Sequence, residues 1–295
     1  MRRSMDSLYF YIPDFFEKYE LNIVLCDMMR MCPEYFYEGI KIGAVYGCFP
    51  NAIWNGGRVM LGGATKEDIQ YIIEEFNSRN IPIRYTFTNP LIEEKHLQDT
   101  FCNICLKEAY NGMNEIIINS SILESYIRKY YPSYKFISST TKCLAEVEEV
   151  KKELSKDYSL IVLDNSFNNA EKTFELPQKD RYELVVNSYC RDNCPNRRKH
   201  YEEIAKAQLE FRSSNFESCP YIKQPREVQM KKHGFITKEQ IYGQYKEAGF
   251  RHFKIDGRAF SDEKVLNSYL YYLVKPEYQE RVKKEMEREI QSLMA

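Results

Sequence analysis

The sequence has no long apolar run. Hydrophobic residues make up 43% of its 295 residues, yet no stretch approaches the roughly 18 consecutive apolar residues of a membrane-spanning helix. The chain opens with Met1, Arg2 and Arg3 and lacks the apolar segment of a secretory signal. We therefore expect a cytoplasmic protein that makes no membrane contact.

The chain also has little net charge and lacks several familiar catalytic motifs. A formal net charge of -1 provides no global field that would attract nucleic acid or an anionic membrane. We find no P-loop, no dinucleotide fingerprint, no zincin helix and no nucleophile elbow. The four histidines are not placed to activate a strand-end serine, which disfavours a serine hydrolase.

What the sequence does contain is an alternation of short β-branched runs with longer segments of helical periodicity. This pattern predicts parallel strands joined by crossover helices, and about eight such strands close a TIM barrel. We predict an α/β fold, a (β/α)8 TIM-type barrel formed as a single domain over residues 1–295. The predicted strands are Asn22 to Cys26, Ile42 to Tyr46, Pro82 to Thr86, Asn114 to Ile118, Tyr134 to Ser138, Tyr158 to Leu163, Tyr182 to Val186 and His252 to Ile255.

The spacing becomes uneven after the seventh predicted strand. The segment from Cys190 to Phe250 is too long for one crossover helix, and residues 190–235 are predicted to be an insertion that carries cysteines. A final helical region is predicted from Asp262 to the end of the chain, with an interruption at Lys275, Pro276 and Glu277.

Three cysteines of this insertion have a spacing typical of a metal or iron–sulfur site. Cys190 and Cys194 lie close together, Cys219 follows further along, and soft thiolates suit iron or zinc. The alternative is that these thiols are unliganded and packed as small hydrophobic groups. An odd total of nine cysteines fits a reducing compartment.

A fourth ligand would have to come from elsewhere in the chain. We choose Cys48, which follows a predicted strand, ahead of Cys26 and Cys143; a zinc site could instead use His200. The pair Cys102 and Cys105 lies in a helical pattern, and we interpret it as part of the core.

Polar residues follow the predicted strands, where barrels of this kind hold their chemistry. On this basis Asn119, Asp164 and Asn187 are candidate substrate-binding residues. Arg84 alternates with apolar residues in the third predicted strand and is a candidate anion holder, or else a structural ion pair at the amino-terminal rim. A glycine-rich loop, interpreted either as a tight cap on the barrel or as a ligand contact, adds Asn55 and Arg58 to the candidates.

Side-chain alternation in the eighth predicted strand places Phe253 and Ile255 toward the helices and His252, Lys254 and Asp256 inward. A lysine inside a barrel needs a partner, for which Asp256, Asp164 or Asp27 could serve. Such a pair would have perturbed pKa values typical of functional sites.

The residues from Gly249 to Arg258 resemble the signature of the collagenase-like peptidase family 32, which usually shows Phe or Leu, Lys, Ile, Glu, Gly and Arg there. The resemblance implies a barrel and, by similarity to its better understood members, an iron–sulfur protein that hydroxylates ubiquinone precursors or RNA bases without molecular oxygen.

The resemblance also implies roles for individual residues. Cys190, Cys194 and Cys219 match three of the family's cluster cysteines, with Cys48 as the fourth. Lys254, Asp256 and Arg258 match the strand-eight motif as catalytic residues, with Asp256 in place of the usual Glu. The loop from Trp54 to Arg58 is not associated with the main family and suggests a side branch.

We therefore expect an enzyme with a 4Fe-4S cluster, or alternatively zinc, that acts on a polar or anionic small molecule. By resemblance RNA is a further candidate substrate, for which Arg197, Arg198 and Lys199 would form the basic patch. The alternatives are a metal-dependent peptidase or hydrolase, and a noncatalytic, metal-stapled partner subunit of a complex.

Overall fold

Eight parallel strands close into a barrel in sequence order, with β8 pairing back onto β1. The computed structural model describes residues 7–190, 194–214, 228, 230–232 and 234–294. The strands are β1 Leu8–Pro13, β2 Ile40–Gly47, β3 Ile83–Phe87, β4 Glu115–Ile118, β5 Lys135–Ser138, β6 Leu160–Val162, β7 Tyr182–Val185 and β8 His252–Lys254. The predicted TIM-type barrel is confirmed.

Helices follow the strands and surround the barrel. They are α1 Tyr19–Met31, α2 Lys66–Ser78, α3 Thr100–Glu108, α4 Ser121–Tyr130, α5 Val147–Leu154, α6 Glu171–Phe174, α7 Arg197–Leu209, α8 Asp262–Leu273 and α9 Gln279–Met294. A short helical segment before β8 comprises Lys238–Gln240, a π-helical turn Ile241–Tyr245 and Lys246–Ala248.

Local sequence signals determine where several helices begin. Thr65 caps α2 by accepting from the Asp68 N–H, and the Asp68 carboxylate accepts from the Thr65 N–H in return, which satisfies two otherwise unpaired backbone donors. The predicted interruption near Pro276 is confirmed, because α8 ends at Leu273 and α9 begins at Gln279. Cys102 and Cys105 are completely buried, as the core interpretation predicted.

The first predicted strand is wrong. Asn22 to Cys26 lies within α1, and the first barrel strand is Leu8–Pro13. Most of α1 is buried, so its apolar residues cover more than one face and do not show the stripe of a half-exposed helix. A short apolar run cannot distinguish such a helix from a buried strand.

The barrel interior combines apolar and charged side chains. Arg84 has no exposed surface; its Nε and Nη2 donate to Glu115 Oε2 at 2.9 and 2.7 Å, and its Nη1 donates to Glu183 Oε2. Its guanidinium lies 3.9 Å from the Tyr11 ring centroid. Strands β3, β4 and β7 are therefore joined across the interior by one buried arginine, which we call the Arg84 strap (Arg84, Glu115 and Glu183).

Helix α7, which follows β7, lies over the mouth of the barrel. Gln208 of α7 exchanges hydrogen bonds with the backbone of Met60, at 2.8 and 3.1 Å. Asn89, just after β3, donates to the Ala205 carbonyl at 3.1 Å. Helix α7 is thus fixed against the glycine-rich loop and the end of β3.

In the described ranges, no helix has both the length and the apolarity that crossing a bilayer requires.

Candidate active site

A cavity of about 930 Å³ opens at the carboxyl ends of the strands, where barrels of this type hold their catalytic residues. Side chains from inside the barrel border it, among them Ile117, Val162 and Val185. Loop and α7 residues complete its walls. The cavity is therefore apolar toward the barrel interior and charged toward its mouth.

Lys254 ends β8 and borders this cavity. Its Nζ lies 3.7 Å from the Tyr46 ring centroid and 3.7 Å from Glu183 Oε1. Burial is the main cause that lowers its pKa, to about 7, with the Arg84 and Arg258 charges acting in the same direction and Glu183 opposing them. Lys254 thus changes charge near neutral pH.

The inward orientation predicted for strand eight is confirmed. The Tyr11 hydroxyl and His252 Nδ1 share a 2.8 Å hydrogen bond inside the barrel, while Phe253 packs in the outer core. The carboxylate nearest to the Lys254 amine is Glu183, which replaces the predicted partners. Asp27, one of those partners, lies on α1 and pairs with Arg79 at 2.9 Å.

Asp256 follows β8 at the mouth of the cavity. Its Oδ2 accepts from Arg58 Nη2 at 3.1 Å. Asn187 exchanges hydrogen bonds with the Asp256 backbone, donating to its carbonyl at 2.9 Å and accepting from its N–H at 2.6 Å. Asn187 therefore fixes the backbone of Asp256, and Arg58 fixes its carboxylate.

Arg258 is held by the glycine-rich loop and β3. Its guanidinium donates to Asn55 Oδ1 at 3.1 Å, to Thr86 Oγ1 at 2.9 Å and to the Gly56 carbonyl at 3.0 Å. Asn55 also donates to the Arg58 carbonyl at 2.8 Å. The loop thus supports both arginines, and Asn55 is a positioning residue beneath them.

Two guanidinium N–H groups at the cavity are unsatisfied. Among the described residues, neither Arg58 Nε nor Arg197 Nε has a hydrogen-bond acceptor, and both atoms are shielded from solvent. Arg197 is anchored by Asp164, whose Oδ2 lies 2.9 Å from its Nη1. Buried donors without acceptors are costly, so both arginines have unmet hydrogen-bonding capacity.

Cys190 and Cys194 both line the same cavity and are partly exposed. Accessible thiols at a positively charged wall fit a soft metal or an iron–sulfur cluster. Cys219, the third predicted ligand, lies outside the described residues. Within those residues no three His, Cys, Asp or Glu side chains converge as a metal site.

The structure does not bring Cys48 to this wall. Its thiol is completely buried in the hydrophobic core, and burial raises its pKa, which opposes the thiolate that a metal needs. Cys143 is partly exposed, and burial raises its pKa as it does that of Cys48, whereas the Arg197 charge lowers it and Cys190 also acts on its thiol.

Two other predicted residues lie apart from the cavity wall. Asn119 donates to Thr141 Oγ1 at 2.8 Å and lines a neighbouring groove. Arg84 is enclosed in its strap, with two protein carboxylates as partners. Arg84 therefore forms a structural ion pair, which was the alternative interpretation from the sequence, and does not serve as an anion holder in the cavity.

Sequence reasoning overlooked Arg197, Tyr46 and Glu183. Arg197 was interpreted only as part of a basic patch. Tyr46 and Glu183 alternate with outward-facing residues in β2 and β7, so the period of two that identified Lys254 could have identified them.

Comparisons with known proteins give one match. No family model matches the chain, and no curated protein matches it. The solved structure of the U32 peptidase Mk0906 is similar, with a TM-score of 0.52 and 12% sequence identity over 85% of this chain and 94% of that chain. This likeness shows the barrel fold, and the predicted resemblance to peptidase family 32 is confirmed at the level of fold.

Proposed function

We propose that this chain is a barrel enzyme that binds an anionic small molecule in the central cavity and performs an oxidoreduction there with a 4Fe-4S cluster. Oxygen-independent hydroxylation is the reaction that we favour. The observation that carries this proposal is that two arginines with unsatisfied N–H donors and two partly exposed cysteines line one cavity.

Each side chain would have a separate task. Arg58 and Arg197, whose side chains line the cavity, would pair with the anion. Arg258, held by its three hydrogen bonds, would keep the potential of the cavity positive without moving. Lys254 would take up or release a proton at Nζ, because its pKa of about 7 matches that task near neutral pH. The apolar inner wall would exclude water around the bound molecule.

Cys190, Cys194 and Cys219 would hold the cluster, which would supply single-electron transfer. For the fourth thiolate we propose Cys143 in place of Cys48, since Cys143 is accessible near Cys190 and Cys48 is sealed in the core. Zinc is the alternative metal for the same ligands.

Anaerobic purification followed by iron and sulfide analysis tests the proposal. We expect a brown protein whose colour and iron are lost in Cys194→Ala. Cys32→Ala is the matched control, since Cys32 is also partly exposed but lies at the end of α1, and it should keep the wild-type iron content. A colourless protein with full zinc occupancy would contradict the redox proposal.

The second candidate is a metal-dependent peptidase or hydrolase. It is favoured by the fold likeness to the U32 peptidase Mk0906 and by a lysine that could act as a base near neutral pH. Cleavage of peptides by the pure, zinc-loaded protein, abolished in Lys254→Met, would favour this candidate over the first.

An RNA substrate is less well supported. Arg197 lines the cavity, where it is paired with Asp164, and Arg198 Nη2 lies 3.4 Å from the Lys142 carbonyl. These two members of the predicted basic patch are therefore engaged with the protein. Binding that falls steeply with salt would be the signature of RNA.

A further inference from the structure

Lys254 is a buried residue at the cavity, and its amine has few polar partners. It borders the cavity and makes no hydrogen bond within the part of the chain that the structure describes; its near neighbours are the Tyr46 ring and Glu183 Oε1, each at 3.7 Å. Glu183 is already committed to the Arg84 strap through its other oxygen. Among the described residues no hydrogen bond occupies the amine, so its lone pair is available to a molecule in the cavity when the amine is uncharged.

Burial and two neighbouring arginines favour the uncharged form of the amine. Arg84 of β3 and Arg258 after β8 oppose a positive charge, Glu183 of β7 and Asp256 favour it, and the Tyr46 ring of β2 covers one side. Desolvation outweighs the attraction of the carboxylates. A lysine that is uncharged near neutral pH, through burial and neighbouring cations, is a nucleophile toward carbonyl carbon.

We infer that Lys254 forms an imine with the carbonyl group of an oxo acid whose carboxylate is held by Arg58 and Arg197. This inference rests on the anion site of the proposed function and names the substrate class, a carboxylate with a nearby ketone or aldehyde. The guanidinium groups and the amine line the same cavity, so one small molecule can contact all three.

The step is balanced without a co-reactant. The lone pair of Nζ attacks the carbonyl carbon, and the oxygen takes a proton to give a carbinolamine. Loss of the hydroxyl group with a second proton releases one water and leaves a C=N bond. The change consumes no electrons. The protonated imine withdraws electrons from the adjacent carbon, which prepares it for deprotonation or for loss of a carboxylate.

Reductive trapping tests the inference. The full-length protein is incubated with pyruvate and sodium cyanoborohydride, and peptide mapping by mass spectrometry locates the adduct. We expect labelling at Lys254, with a rate that rises between about pH 6 and pH 8 because the uncharged amine is the reactive form. Acetone, a ketone without a carboxylate, should label Lys254 at least about tenfold more slowly, as expected when one charged contact is lost.

Variants separate this site from general lysine reactivity. Lys254→Arg should abolish the adduct, whereas Lys95→Arg should leave it unchanged, since the Lys95 side chain is 71% exposed and distant from the cavity wall. Arg58→Gln should reduce the rate with pyruvate toward that with acetone, with the remaining difference due to Arg197. Circular dichroism of each variant verifies the fold.

The labelling and binding experiments each have a result that would overturn the inference. Labelling spread over exposed lysines with Lys254 unmodified would refute it, as would an undiminished total in Lys254→Arg. Ligand-observed NMR with pyruvate distinguishes the two proposals. Pyruvate that binds in an Arg58-dependent manner without reacting at Lys254 refutes the imine and supports the anion site, while absence of binding counts against both.

Discussion

Asp14 is a buried carboxylate that the fold leaves half satisfied. Its Oδ1 accepts from the Glu17 N–H at 3.0 Å and the Phe16 N–H at 3.3 Å, while its Oδ2 has no partner among the described residues. Burial raises its pKa to about 6, from the ordinary aspartate value of 3.8. Between these two pH values the folded protein binds more protons than the unfolded chain, so this residue lowers stability as the pH rises.

Asp14→Asn should therefore stabilise the protein at neutral pH. Asparagine keeps the accepting oxygen, tolerates the left-handed φ of 64°, and removes the charge. The gain in unfolding free energy should be about 1 kcal/mol larger at pH 7.5 than at pH 5, and at most about 3 kcal/mol in total. Urea denaturation at the two pH values measures it. Asp157→Asn, at a side chain that is 97% exposed, is the control, and an equal gain at both pH values would contradict the account.

At the residue scale, side-chain alternation along a strand is sufficient to predict that Lys254 points inward. It could not identify the partner of Lys254. Glu183 faces it from the neighbouring strand, and the sequence separation between them carries no signal of that pairing. The prediction therefore favoured Asp256, Asp164 and Asp27, residues placed at predicted strand ends.

The glycine-rich loop is the element that connects the fold to the site. A Cβ at Gly56 would lie 2.6 Å from the carbonyl carbon and oxygen of Thr88, a contact with backbone that cannot move aside. The Gly56 carbonyl also accepts from Arg258. The absence of a side chain at this position thus lets the loop approach β3 and hold Arg258.

Gly56→Ala should displace the loop. We expect a loss of about 1–3 kcal/mol in unfolding free energy together with weaker anion binding. Gly63→Ala is the matched control in the same segment, because a Cβ there meets nothing within 4 Å, and it should be neutral or slightly stabilising. Thermal denaturation and a pyruvate titration measure the two effects. Equal behaviour of the two variants would show that the close approach is unimportant.

Element boundaries were predictable where local chemistry determines them. The interruption predicted at Pro276 depends on residues within a few positions of it, and this prediction is confirmed. The capping box at Thr65 is equally local. The first strand was not found because α1 is covered by neighbouring parts of the fold. Its residues then carry the apolar pattern of a buried strand, and only tertiary packing decides between the two.

For the whole molecule, the Arg84 strap is a fully buried charge cluster of the barrel interior. Its arginine and its two glutamates are at most 3% exposed in their side chains. Removing one member of such a cluster leaves uncompensated charge in a site that water cannot reach. The strap joins strands that are distant in sequence, so its effect should extend to global stability.

Arg84→Ala should cost about 3–5 kcal/mol of unfolding free energy, because Glu115 and Glu183 lose their shared partner. Arg288→Ala, at a pair whose side chains are 75% and 51% exposed, should change stability by less than about 0.5 kcal/mol. Chemical denaturation compares the two. A small effect of Arg84→Ala would mean that the strap contributes little to the barrel.

The barrel as a whole was predictable from the alternation of elements and the count of strands, because these depend on local periodicity. The site was predictable only in part. Cys190 and Cys194 do lie on one wall, but Cys48 was chosen by its place after a strand, and its side chain points into the outer core instead of the cavity. Which face a residue takes beyond the end of a strand depends on loop geometry that periodicity does not describe.

Diffraction from anaerobically grown crystals, measured on both sides of the iron absorption edge, would show directly whether the cavity holds an iron–sulfur cluster. We expect an anomalous iron peak beside the Cys190 and Cys194 sulfur atoms, at the cavity that Arg58 and Arg197 line. An iron-free cavity in protein that has been reconstituted with iron and sulfide, or an iron peak elsewhere on the molecule, would contradict it.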